Sequence, residues 1–126
     1  MGVRMDKISV TKAFTFDSAH FLEGYEGACA NLHGHTYKCE VTVVGPRDSL
    51  GMIIDFKDLK QLIQRNVMQK FDHKCVNDIV GYNPTAENMV EDIALNLDTG
   101  LGDHHFVTRV KLWETPDSYA TWERVE

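Results

Sequence analysis

The stretch Cys29-Ala30-Asn31-Leu32-His33-Gly34-His35 sets a cysteine and two histidines within seven residues. If it runs on as one strand through Val43, then His33, His35, Tyr37, Cys39, Val41 and Val43 share a face, because side chains alternate along a strand. The Cα atoms of the two histidines would then lie roughly 6.5 Å apart, and both rings would reach one metal ion at about 2.0–2.1 Å. Gly34 between them leaves the opposite side of the backbone uncluttered. Upstream, Ile8, Val10, Phe14 and Phe16 alternate as an apolar face, and His20 has their parity. Three neutral imidazoles with no fourth protein ligand in view form the pattern of a catalytic zinc site, whose open position takes water or substrate. A single histidine on an apolar face is more often a core or interface residue with its hydrogen bonds met. The His-Gly-His pair joined to an in-face third shifts the balance to a metal site.

Several other residues have competing readings. Cys29, four positions before His33, is the fourth ligand of a closed structural zinc site, a thiolate base beside the metal, or an inconsequential loop cysteine. Cys39 falls within the apolar face and reads as a small core residue. Cys75 has no evident partner. In Asp72-His73 the carboxylate would orient an imidazole for proton transfer, or the pair is a solvated loop. Glu114 ends an apolar strand face and needs paired donors: Arg109 and Lys111 are candidates of the opposite parity, and where no protein cation serves, a ligand's N–H groups would. His104 and His105 read as an exposed loop.

The elements that would position these groups follow from periodicity. Residues 7–20 and 33–44 read as strands joined by a glycine-containing loop, and Met52-Ile53-Ile54 as a short strand after a turn at 45–51. Asp55 caps a helix over 56–70, and Thr85 caps a second with Met89, Val90, Ile93, Ala94 and Leu97 inward. From Phe106 the period returns to two, with Phe106, Thr108, Val110 and Leu112 on one side, and residues 119–125 form the last strand. The expected class is α+β: an antiparallel sheet with two helices on one face.

At 126 residues the chain suits one domain, 1–126, and is short for two. A hydrophobic fraction of 43% and a charged fraction of 25% exclude a disordered chain. The net charge of −6 argues against nucleic acid or an anionic membrane as partner, and requires a local basic patch for any anionic substrate. No apolar run has the length of a signal peptide or a membrane span, so the expected compartment is the cytoplasm. The three cysteines lack disulfide-framework spacing and read as free thiols.

Taken together, Phe16-Asp17-Ser18-Ala19-His20, the Cys29-to-His35 motif, Asp72-His73, Pro84-Thr85-Ala86-Glu87-Asn88 and Trp113-Glu114-Thr115 resemble the 6-pyruvoyl-tetrahydropterin synthase superfamily over nearly the whole chain. The three residues between Cys29 and His33 are similar to the carboxy-forming subfamily of queuosine and other 7-deazapurine biosynthesis, since the pyruvoyl-forming enzymes typically have a longer gap. The resemblance implies the tunnelling fold, in which strands from several subunits close into a barrel, usually a homohexamer of two trimers with sites at subunit interfaces. It implies a zinc-dependent carbon–oxygen lyase that converts 7,8-dihydroneopterin triphosphate to 6-carboxytetrahydropterin, acetaldehyde and triphosphate. His20, His33 and His35 would hold Zn2+, and Glu114 would anchor the pterin. Cys29 would move protons as a thiolate, with His73, oriented by Asp72, as the second acid/base group. Thr85 and Glu87 would be secondary substrate contacts. Lys74-Cys75 departs from the bulkier residues common in relatives without touching an assigned role. The competing functions are the pyruvoyl-forming relative, a zinc hydrolase lacking the His-Glu-x-x-His arrangement, and a non-catalytic pterin- or zinc-binding module.

Overall fold

The fold is that of a computed structural model describing residues 6–125, so the extremes of the expected 1–126 domain lie outside the described residues. β1 (Val10–His20) and β2 (His33–Val44) form a long antiparallel pair whose last rung sets His20 opposite His33. β4 (Phe106–Thr115) pairs antiparallel with the other edge of β2, and β5 (Ser118–Glu123) follows on β4 as an edge strand. A two-residue strand not anticipated from sequence, β3 (Lys74–Cys75), lies parallel to Ser18 and Ala19, giving the order β3-β1-β2-β4-β5. The class is α+β as expected, with a sheet that is mixed at this one edge.

Asp55 caps α1 (Phe56–Ile63) by accepting the Lys57 N–H at 2.9 Å. The rod continues through a π-turn at Gln64–Met68 into α2 (Gln69–Phe71), so the helix expected over 56–70 is present with one widened turn. Thr85 caps α3 (Ala86–Thr99), its hydroxyl accepting the Asn88 N–H at 3.1 Å. Leu59, Val67 and Phe71 from the first rod, and Met89, Ile93 and Leu97 from α3, meet Tyr37, Cys39, Val41 and Leu112 in one apolar cluster. Thr11, Thr15, Thr36 and Lys38 on the opposite face of the sheet are exposed. No helix among the described residues is long and apolar enough to cross a membrane.

The alternating pattern holds along β1 and along β2 as far as Val41, beyond which Thr42 is buried with Val43, and it fails in three further places. Ile8 lies before β1 and is exposed. At the start of β4 the register shifts between Thr42 and Val43, and the irregularity buries Val107 in place of Phe106 and Thr108, whereas Val110 and Leu112 point inward as expected. Met52-Ile53-Ile54 is not a strand: Asp48 Oδ1 accepts the N–H groups of Leu50 and Met52 at 2.9 and 3.0 Å and curls the segment into a turn.

Leu112 is fully buried beneath the rung that leads to Glu114. Leu112→Ala is expected to lower unfolding stability by about 2–5 kcal/mol, measured as a lower urea midpoint. A change no larger than that of the exposed-face substitution Thr15→Ala would contradict this account of the core.

Candidate active site

Because His20 and His33 are cross-strand neighbours on the helix-facing side, their rings meet, and His35 joins them one rung along. The Nε2 atoms of His20 and His33 are 3.1 Å apart. Each ring's other nitrogen faces a carbonyl at 2.7 Å, His20 Nδ1 that of Pro84 and His33 Nδ1 that of Asn31. A carbonyl only accepts, so both Nδ1 atoms carry the proton and, in the neutral rings, both Nε2 atoms present lone pairs. Glu114 Oε1 lies 3.1 Å from His20 Nε2 and 3.2 Å from His35 Nε2. His35 Nε2 is buried and lacks an aligned hydrogen-bond partner.

Acceptors facing one another at these distances require a proton or a cation between them. Two ligands at about 2.0–2.1 Å from a tetrahedral ion stand about 3.3 Å apart, close to the spacing found. The Nδ1–H to carbonyl bonds are the outer-shell contacts that orient metal-bound histidines. His20, His33 and His35 thus offer donors that fit a zinc-like ion, and a Glu114 oxygen lies in the same group, the ligand atoms of all four within 4.8 Å of one another. Cys29 is outside that group, which leaves its thiol uncommitted.

The charges of the cluster agree with this picture. Burial opposes the charged form of His20, but the hydrogen bond to Glu114, the Pro84 carbonyl and the Glu114 charge outweigh it and raise its pKa. Burial lowers that of His35, and repulsion from His20 and His33 adds to it against the pull of Glu114. The His20 hydrogen bond holds the Glu114 carboxyl below its ordinary range despite burial, helped by the charges of the three rings. Tyr37, fully buried, has its hydroxyl 3.4 Å from His20 Nδ1, and burial followed by the Glu114 charge keeps it protonated. The cluster can therefore share a proton or exchange it for a metal.

Other predicted residues line two hollows that border this cluster. One hollow is lined by His35, His73, Asp17, Ser18 and Cys75. Another is lined by Glu114, Glu87, Tyr119 and Trp122, with Thr85 at the start of the adjoining helix. Glu114, expected as a pterin anchor, thus has one oxygen against the imidazoles while the residue also borders the second hollow. His73 is exposed, adopts a left-handed φ of 59°, and pairs its Nδ1 with Asp72 Oδ2 at 3.0 Å. The Asp17 N–H donates to Asp72 Oδ1 at 3.0 Å, and Asp17 Oδ1 accepts the Thr36 hydroxyl at 2.6 Å. Sequence reasoning gave no separate role to Asp17, nor to the carbonyls of Pro84 and Asn31. Backbone acceptors leave no side-chain signal, whereas Asp17 lies within the Phe16-Asp17-Ser18-Ala19-His20 motif.

The family model described as 6-pyruvoyl tetrahydropterin synthase matches residues 9–125, and the chain belongs to that family. A 6-carboxy-5,6,7,8-tetrahydropterin synthase from Haemophilus influenzae is 32% identical over 141 aligned residues, covering 90% of this chain and 97% of its own. A protein of the same name from Rickettsia bellii is 33% identical, covering 89% and 97% respectively. The solved 6-pyruvoyl tetrahydropterin synthase of Caenorhabditis elegans shares the fold, with a TM-score of 0.83 at 24% identity over 98% of this chain and 100% of that one.

The Asp17 N–H, opposed by burial and aided by the His73 ring, lowers the Asp72 carboxyl from its ordinary 3.8. A depressed carboxylate contributes stability that is present above its unfolded value and lost as pH falls through the folded one. Asp72→Asn is therefore expected to be less stable than the parent chain near neutral pH, with the difference closing below about pH 3.8 in denaturant titrations. A difference independent of pH would contradict the ionic role.

Proposed function

We propose that this chain is a zinc-dependent 6-carboxy-5,6,7,8-tetrahydropterin synthase, a carbon–oxygen lyase of queuosine and 7-deazapurine biosynthesis. It would convert 7,8-dihydroneopterin triphosphate and water to 6-carboxytetrahydropterin, acetaldehyde and triphosphate. The observation carrying the reading is the pair of lone-pair-bearing Nε2 atoms of His20 and His33, 3.1 Å apart beside Glu114 and His35. The names of the curated relatives support the same chemistry, and the three-residue gap between Cys29 and His33 favours the carboxy-forming over the pyruvoyl-forming reaction.

Zinc held by His20, His33 and His35 would act as a Lewis acid toward the substrate's side-chain hydroxyls, making the adjacent C–H bonds more acidic. Glu114 accepts paired N–H bonds from the pterin ring and its exocyclic nitrogen, fixing which carbon stands near the thiol. Cys29 as thiolate takes a proton there, and His73, oriented by Asp72, exchanges one on the opposite side. Positioning of this kind lowers a barrier by several kcal/mol. Thr85 and Glu87 are secondary contacts at the edge of the pterin hollow. The 3.0 Å contact between Asp72 and His73 and the separation of Cys29 from the donor cluster support these roles. The chain 1–126 acts as one cytoplasmic domain. Copies of it join through the exposed sheet edges as a homohexamer of two trimers, with the substrate as its small-molecule partner and no nucleic acid or membrane.

Incubation with 7,8-dihydroneopterin triphosphate is expected to yield 6-carboxytetrahydropterin by mass spectrometry, and a chelator to stop the reaction. Cys29→Ala should keep its zinc while turnover falls at least about 100-fold, the usual range for loss of an acid/base group. Release of a 6-pyruvoyl product would reassign the chain to the other branch of the family. Zinc loss on removing the thiol would point to a closed structural site, and no product under any condition would sink the reading.

A further inference from the structure

Beyond His20 the ladder with β2 ends, yet the next residues keep partners. The Phe21 N–H donates to Asn77 Oδ1 at 2.9 Å, and Asn77 Nδ2 donates back to the Phe21 carbonyl at 2.9 Å. Two residues on, the Glu23 N–H donates to Asn83 Oδ1 at 2.9 Å, and Asn83 Nδ2 donates to the Glu23 carbonyl at 3.3 Å. A side-chain amide offers a donor and an acceptor in the plane of a peptide group, so each asparagine supplies one rung of a detached strand. The spacing of two places both rungs on the same edge of the Phe21–Glu23 backbone.

Leu22 lies between the two pinned residues, and its N–H donates to the Cys29 carbonyl at 2.8 Å. The main chain of Cys29 thus hangs from a residue fixed on both sides. Cys29 itself lies in a single 3-10 turn, Ala28–Ala30, in which the Ala30 N–H donates to the Gly27 carbonyl and the Asn31 N–H to the Ala28 carbonyl, both at 3.1 Å, while Glu23 to Ala28 is exposed and contains Gly24 at φ 72°. The anchors themselves are firm. Asn77 follows the fully buried Val76, and its Oδ1 also lies 4.0 Å from the Cys75 thiol. Asn83 precedes Pro84, whose carbonyl holds His20, and its own carbonyl accepts the Thr85 N–H at 2.8 Å and Asn88 Nδ2 at 2.9 Å.

We infer that Asn77 and Asn83 are positioning residues that set the Cys29 thiol relative to the imidazole cluster by clamping the backbone on either side of Leu22. The inference rests on the proposed role of Cys29 as the proton-transfer group. It ties the thiol to the same segment, residues 77–84, that orients His20, so one structural unit fixes both the base and a ring of the metal site.

The test uses zinc-loaded full-length protein carrying Asn83→Ala or Asn77→Asp. The second variant keeps the shape and the acceptor but loses the donor to the Phe21 carbonyl, so it serves if the first folds poorly. Each is made in the parent chain and in Cys29→Ala, with zinc content, kcat and KM for 7,8-dihydroneopterin triphosphate measured. In the parent chain, kcat should fall about tenfold or more, as misplacement of a catalytic group predicts, with KM and zinc content holding. On the Cys29→Ala background the same substitution should cost nothing further, because coupled residues are non-additive. Equal fractional losses on both backgrounds, or unchanged kcat in both single variants, would overturn the inference. Hydrogen exchange of residues 21–30 without substrate separates its failure from that of the proposed function. Faster exchange in either variant supports the clamp, and unaltered exchange in both overturns it. Full activity of Cys29→Ala would instead remove the thiol's catalytic role.

Discussion

The site depends on an electrostatic conflict that the fold builds deliberately into one end of its longest strand pair. The carbonyls of Pro84 and Asn31 claim the Nδ1 protons of His20 and His33, which leaves the two Nε2 lone pairs facing each other at 3.1 Å with a carboxylate oxygen equally close. Acceptors are brought so close only when something positive lies between them. A proton between them relieves the conflict, in keeping with the raised His20 pKa and the lowered Glu114 pKa, and the same donor set fits a divalent cation. Burial and its neighbours' charge lower the His35 pKa against the pull of Glu114, which suits a metal ligand.

The rest of the fold keeps that arrangement in place and brings reactive groups to it. The β1–β2 register puts His20 opposite His33, and the apolar face running from Tyr37 to Val43 anchors that register on both helical rods. At the end of the first rod, the Ser18 hydroxyl donates to the Phe71 carbonyl and the His73 N–H donates to the Asp17 carbonyl at 2.6 Å. The left-handed turn at His73 then sends Lys74 and Cys75 alongside β1 as β3. These contacts deliver His73 to the hollow beside His35 and set Asp72 against the Asp17 N–H, 55 residues away in sequence. A non-glycine residue held at positive φ carries strain, and here it falls on a residue with a proposed chemical role.

Much of this was legible in the sequence. The period-two pattern of β1 and β2 placed all three histidines on one face, and the Asp55 and Thr85 caps marked the helix starts. Illegible features arose from tertiary contacts that override local pattern. The irregularity opposite Thr42 and Val43 inverted the inward parity at Phe106 and Val107, and nothing in Asp72-His73-Lys74 marked a return alongside β1 as β3. The approach of Glu114 to the rings was equally hidden, since parity gave its face but not its distance along the rung. Backbone groups of Pro84, Asn31 and Leu22, which orient the imidazoles and Cys29, leave no trace in residue type.

The central claim is that imidazole nitrogens converge on one cation from which the Cys29 sulfur is excluded. Zinc K-edge X-ray absorption on the zinc-loaded protein tests it directly. The account predicts a first shell of nitrogen and oxygen scatterers at about 2.0–2.1 Å with the multiple-scattering signature of several imidazoles. A sulfur scatterer at about 2.3 Å, or a shell with fewer than two imidazoles, would contradict it.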